Sequence, residues 1–168
     1  MSTSHIETSI GSLAPATVIA ALHNHELMIK TLCPALVSYA FDSGDASSSA
    51  TYMVTDKKPI GQVSLLPHPL FPHWHQPFLP HWTRSNRSRK QTTYKLTLTN
   101  VADGVDSLVN AKPPVGTLTI AGKWRVQGTM LTEDVVIDGN FMMKKVAKGN
   151  VEKTHPEQHA KLLEAASA

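Results

Sequence analysis

The sequence predicts an α+β domain in which a curved antiparallel sheet closes around a long C-terminal helix. Two observations carry this reading. Apolar periodicity gives, in order, a strand, a helix, about six more strands and a long helical tail, so helices are segregated from a run of β structure. The 168 residues, 41% hydrophobic and 17% charged, suffice for one core and place the chain among globular proteins. A sheet wrapped on a helix leaves a space between the layers, and an internal apolar cavity there is the natural ligand position. The whole chain, 1–168, is read as a single domain.

Each element has its own signal. His5–Ile10 alternate polar and apolar, as a half-buried strand does. After a turn at Gly11–Ser12, Pro15 suits the first helical position, where its missing N–H costs nothing. Val18, Ile19, Leu22, Glu26 and Ile29 follow at helical spacing, and Pro34 stops that helix near Lys30–Leu32. Leu36–Phe41 and Thr51–Thr55 read as a hairpin joined by the polar stretch 42–49. Tyr94–Thr99, Val105–Ala111, Thr117–Val126 and Leu131–Ile137 read as further strands, separated by Ala102-Asp103-Gly104, by Pro113-Pro114 and by a last short turn. The tail, 141–166, is helical in composition, with Phe141, Val146 and Leu162–Leu163 as its apolar points. Gly149-Asn150 and Pro156 predict a kink or break within it.

One stretch resists any regular element. Between Leu65 and Trp82 stand five prolines, four histidines and four large aromatics, too many prolines for a helix or a central strand. We read about 62–92 as an insertion or lid. Its aromatics Phe71, Trp74, Phe78 and Trp82 must bury somewhere, and covering the cavity is the simplest solution.

Charge and composition exclude several classes. The net charge is +3, and Arg84, Arg87, Arg89 and Lys90 form one short cluster rather than a basic face, so no nucleic-acid partner is expected. No run is long and apolar enough for stable membrane insertion, and the N-terminus lacks the features of a secretory signal. The lone Cys33 excludes an internal disulfide and suggests a cytoplasmic setting. The sequence leaves monomer or homodimer open. It contains no glycine-rich phosphate loop, no GxSxG elbow, no HExxH and no CxxC, and no cofactor is expected. His68, His73, His75 and His81 are close in sequence but lack nearby cysteine and have little carboxylate, so we expect no metal.

Thr17-Val18-Ile19, Leu22-His23-Asn24-His25 and Met28-Ile29, taken with Leu131-Thr132-Glu133-Asp134-Val135 before the terminal helix, resemble a family of small fungal proteins. That family belongs to the START/polyketide-cyclase-like (SRPBCC) superfamily, and most of its members have no assigned function. The resemblance spans about residues 5 to 165 and implies the START-like helix-grip fold with its hydrophobic cavity. The superfamily includes lipid and sterol carriers, hormone receptors and cofactor-free polyketide cyclases. The departure from its pattern is the Pro/His/Trp-rich segment, so ligand identity does not carry over.

Strand alternation nominates the site. Leu131, Glu133, Val135 and Ile137 share one face. If that face lines the cavity, Glu133 is a carboxylate among aliphatics, with a pKa raised by desolvation and a possible acid or base role. Were the register reversed, it would be solvated. Leu118, Ile120, Gly122, Trp124 and Val126 share another face, which gives Trp124 an inward indole N–H. His25 sits beside the first helix's apolar stripe, whereas His23 falls at its edge. The candidate catalytic residues are therefore Glu133, Trp124 and His25. The candidate substrate-binding residues are Tyr52, Val54, Trp74, His75, Phe78, Tyr94, Leu96, Leu118, Ile120 and Val135, most of which would serve equally as core.

Two functions fit. One is a cofactor-independent cyclase or isomerase of natural-product biosynthesis, acting on a hydrophobic terpenoid or polyketide intermediate, with pericyclic, Diels–Alder-type closure among its chemistries. The cavity would hold a flexible substrate in a reactive conformer. The alternative is a carrier or sensor that binds a hydrophobic small molecule unchanged.

Overall fold

The computed structural model describes residues 1–57, 91–113 and 116–168. Its elements are β1 (Ser2–Ser9), α1 (Pro15–His23), α2 (His25–Leu32), β2 (Leu36–Asp45), β3 (Ser49–Asp56), β4 (Thr92–Val101), β5 (Gly104–Ala111), β6 (Leu118–Gln127), β7 (Met130–Gly139) and α3 (Phe141–Ala166). The strands form one seven-stranded sheet in the order β1-β7-β6-β5-β4-β3-β2, with every pairing antiparallel. Strands β2 to β7 therefore run as a meander, and β1 closes the far edge beside β7. The curved sheet and the long C-terminal helix are those expected from the order of elements.

Alternation decides what lies beneath the helices. Val54, Leu96, Leu98, Leu118, Trp124, Leu131, Val135 and Ile137 are almost wholly buried. Their neighbours Lys123, Asp134 and Asp138 point outward into solvent. On the other side of the core stand Val18 and Leu22 of α1 and Met28 and Ile29 of α2, each without exposed surface. Helix α3 packs against β1 and β7 and against both short helices. Polar ties fix it along β1: Lys148 Nζ donates to the Thr3 carbonyl at 2.8 Å, and the Ser4 hydroxyl donates to Glu152 Oε1 at 3.4 Å.

Three local expectations are corrected. The single N-terminal helix is two, parted at Asn24, whose backbone is extended (φ −79°, ψ 94°). The Asn24 side chain accepts from the Leu27 N–H at 3.1 Å and so starts α2 as its N-cap, which apolar periodicity cannot show. Helix α3 runs unbroken through Gly149-Asn150 and Pro156. Pro156 lies on the exposed side of the helix, where losing one backbone bond costs least. The buried stripe of α3 is Met143, Ala147, Val151, Gln158, His159 and Leu162, whereas Phe141 is 82% exposed. Among the described residues no helix is long and apolar enough to cross a membrane.

Candidate functional site

The site is built where β6 and β7 pass beneath α3. Trp124 and Glu133 are directly paired across these strands, and both side chains turn inward with no exposed surface. Alternation makes this unavoidable: with Leu131, Val135 and Ile137 in the core, Glu133 must enter it too. A buried carboxylate needs partners, and α3 supplies them. His155 Nδ1 lies 2.7 Å from Glu133 Oε2, and His159 Nε2 lies 3.4 Å from the same oxygen. The other nitrogen of His159 sits 3.0 Å from the Thr8 hydroxyl on β1. If that hydroxyl donates to Nδ1, the His159 proton is on Nε2 and faces the carboxylate.

Trp124 completes the cluster. Its indole lies nearly parallel to the His155 ring, with centroids 6.3 Å apart and planes at 25°, and is tilted by 46° against His159 at 4.6 Å. One helix thus presents two imidazoles, one turn apart, to a carboxylate and an indole on neighbouring strands.

Burial pushes the Glu133 carboxyl up, but hydrogen bonding and favourable electrostatics from the neighbouring His155 and His159 outweigh it and hold the group below its usual value. This corrects the expectation that desolvation raises it. The face-lining register is the one found, but the helix brings compensating donors. Glu133 is accordingly an anion at neutral pH, fit to accept a proton or a hydrogen bond.

Both histidines lie on the Oε2 side of the carboxylate, where only His155 is at hydrogen-bonding geometry. Glu133 Oε1 and Trp124 Nε1 have no hydrogen-bond partner among the described residues, and His159 Nε2, though 3.4 Å from Oε2, makes no hydrogen bond either. Glu133 Oε1 and Trp124 Nε1 flank one point above the backbone of Gly122. A Cβ added there would stand 3.1 Å from Glu133 Oε1, 3.3 Å from Trp124 Nε1 and 2.7 Å from Ser107 Oγ. The three side chains close over Gly122 so tightly that a Cβ would force a shift, so glycine is what lets them approach the backbone here.

The other nominated residues fall elsewhere. Both nitrogens of His25 are engaged, Nδ1 with the Tyr52 hydroxyl at 2.9 Å and Nε2 with Asn100 Oδ1 at 3.1 Å. This couples α2 to β3 and β4, and neither Glu133 nor Trp124 is among its partners. His23, in turn, lies within 3.0 Å of the Val101 carbonyl and 2.9 Å of the Gly104 carbonyl, clamping the β4–β5 turn. Tyr94 donates to Asp56 Oδ2 at 3.2 Å and lies 3.1 Å from Cys33 Sγ. Tyr52, Val54, Tyr94, Leu96, Leu118 and Val135 are buried on the inner face, and Ile120 is half-buried. Trp74, His75 and Phe78, like His68, His73 and His81, lie outside the described residues. Among the described residues no three His, Cys, Asp or Glu side chains are grouped to hold a metal.

Sequence reasoning missed His155, His159, Thr8 and Ser107. A signal existed for the histidines. Val151, His155, His159 and Leu162 continue the stripe of Met143 and Ala147 at steps of three and four, but histidine reads as polar when apolar points are sought.

The sheet closed on its C-terminal helix is the helix-grip fold of Bet v1-type proteins and polyketide cyclases. Within that class the chain belongs to the family described as "Domain of unknown function (DUF7053)", which it matches over residues 4–168. It is similar to Ara h 8.0201, at 11% identity and TM-score 0.56, covering 98% of this chain and 97% of the other. It is also similar to the Zhui aromatase/cyclase from Streptomyces sp. R1128, at 10% identity and TM-score 0.56, covering 99% and 94%. A third similar structure is the di-domain ARO/CYC BexL of the BE-7585A biosynthetic pathway, at 10% identity and TM-score 0.54, covering 98% of this chain and 48% of that one. At such identities the likeness is one of fold. No curated protein matches the chain.

Proposed function

We propose that this protein is a cofactor-independent cyclase that closes rings in hydrophobic polyketide- or terpenoid-type intermediates by proton transfer. The observation that carries it is the buried Glu133 carboxylate, held on Oε2 by His155 and His159 and left unpartnered on Oε1 beside the indole N–H of Trp124. A molecule that only stores an apolar ligand has no need of a desolvated anion, and burying one costs several kcal/mol before compensation. The aromatase/cyclase neighbours show that the helix-grip fold can host ring closure, which raises the reading's standing only by analogy.

The chemistry follows from the groups present. Glu133 Oε1 takes a proton from a carbon next to a ketone, and the electrons of that C–H bond delocalise onto the ketone oxygen. Trp124 Nε1–H stabilises the oxygen on which charge develops. The carbanion carbon attacks a second carbonyl of the same chain, forming the ring C–C bond. The new alkoxide recovers the proton from Glu133, and the hydroxyl leaves as water with a second α-proton. His155, hydrogen-bonded to Oε2, and His159 beside it hold the carboxylate in place throughout. A pericyclic, Diels–Alder-type closure would use the Trp124 donor but would leave the carboxylate and its two histidines without work, so we favour the proton-transfer route.

The test uses 1-phenylhexane-1,5-dione, whose intramolecular aldol condensation gives 3-phenylcyclohex-2-enone and water. Wild-type protein should accelerate closure over buffer, and Glu133→Gln should lose about 10²-fold or more of that acceleration while still binding the dione. Binding without conversion by the wild type would refute the enzyme and leave a carrier. Equal rates for wild type and Glu133→Gln would remove the carboxylate from the mechanism.

A further inference from the structure

The two most exposed large apolar side chains of the described helices and strands stand side by side at one corner. Phe141 and Met142, the first residues of α3, are 82% and 74% exposed. The core takes up neither, because the buried stripe of the helix begins only at Met143. Side chains of this size left in solvent together mark a contact surface.

Positive charge surrounds them. Lys145 lies one helical turn on from both, four residues after Phe141 and three after Met142, and Lys144 is three residues after Phe141. Lys112 reaches the same end of the sheet. It follows Ala111, which pairs with Leu118, which pairs with Gly139, so two strand spacings of about 10 Å separate it from the start of α3. The connection that carries Lys112 also abuts the helix cap, since a Cβ on Gly116 would stand 3.8 Å from Asn140 Nδ2. Lys148 is engaged by Glu152 at 2.6 Å, but Lys112, Lys144 and Lys145 enter no ion pair among the described residues. The first turn of α3 holds no acidic residue, and the exposed Asp138 belongs to the outer face of β7.

We propose that this corner docks the protein on an anionic lipid surface. Phe141 and Met142 enter the boundary between headgroups and acyl chains, and Lys112, Lys144 and Lys145 meet the lipid phosphates and carboxylates. Area argues against a protein partner. Two such side chains offer roughly 300–400 Å², whereas a stable protein interface takes about 800 Å² from each side. A bilayer needs no shape-matched surface, only protruding apolar groups with cations behind them. Such docking stands apart from the cyclase reading, since Glu133 and Trp124 lie in the core, and it requires no membrane-spanning helix.

Sedimentation of the full chain with sucrose-loaded vesicles tests this, using phosphatidylcholine alone or with roughly a third phosphatidylserine in about 0.1 M salt. Binding should be at least about tenfold stronger to the anionic vesicles and should weaken steeply at about 0.5 M salt. Lys144→Gln/Lys145→Gln should lose about twenty-five-fold, roughly fivefold for each lysine. Phe141→Ser/Met142→Ser should lose at least about tenfold. None of these four side chains is buried, so both variants should keep the wild-type urea midpoint. No binding to either vesicle overturns the proposal, as does binding that both double variants retain. Binding that needs the lysines but not Phe141 and Met142 overturns the apolar contact. Wild-type dimers that Phe141→Ser/Met142→Ser abolishes, without vesicle binding, would assign the corner to a second copy of this chain instead.

Discussion

Losing His155 should harm this protein more than losing the charge it compensates. The Glu133 carboxylate has no exposed surface, and its shortest contact is the 2.7 Å bond from His155 Nδ1. His155→Ala leaves it with His159 at 3.4 Å as its only histidine partner. Breaking a buried ion pair from one side costs about 3–5 kcal/mol. Glu133→Gln keeps the shape and a hydrogen-bonding oxygen while removing the charge, so about 1 kcal/mol is expected. The double variant should cost far less than His155→Ala alone plus Glu133→Gln, because the stranded charge is gone. Urea unfolding at neutral pH measures all three. With a slope of about 2 kcal/mol/M, His155→Ala should shift the midpoint by roughly 1.5–2.5 M.

The pH dependence supplies a second check, with a fixed sign. In the wild type the folded pKa of Glu133 is depressed. Its stabilising contribution is therefore full above the unfolded carboxyl value and is lost as pH falls below it through the folded value. In His155→Ala burial dominates, the folded pKa rises above the unfolded one, and the penalty shrinks as acidification neutralises the carboxyl. The gap between variant and wild type should therefore narrow from pH 7 towards pH 4.5. If His155→Ala costs no more than Glu133→Gln, or if the gap widens on acidification, Glu133 is not the buried anion this geometry requires.

Two further predictions concern the scaffold. Burial pushes the Cys33 thiol up to about 11, against which the Tyr94 hydroxyl bond works only in part, so at pH 8 about one thiol in a thousand is thiolate. Ellman's reagent should modify native Cys33 at least about a hundredfold more slowly than the urea-unfolded chain, and comparable rates would refute its burial. Asn24→Ala removes the cap from the Leu27 N–H and should cost about 1 kcal/mol in urea unfolding. No change there would mean that the α1–α2 break is held by packing alone.

What the sequence determined by itself was local. Period-two alternation put Glu133 on one face with Leu131, Val135 and Ile137 and turned Trp124 inward, but whether the Glu133 face was the buried one stayed open until the packing settled it. Proline at 15 and 34 bounded the N-terminal helical region, though not the break that Asn24 makes within it. The run of strands before a terminal helix fixed the α+β layout. Tertiary structure alone decided what meets Glu133. Residue 155 is 22 positions from it in sequence, and which turn of α3 crosses β7 depends on how a 26-residue helix docks along β1, not on any local pattern. The same docking leaves Phe141 in solvent and takes His159 into the core, the reverse of what their polarity suggests. It also turns the expected rise of the Glu133 pKa into a fall. Burial is foreseeable from a strand's alternation, but the donors that offset it arrive across space, from the far end of the chain.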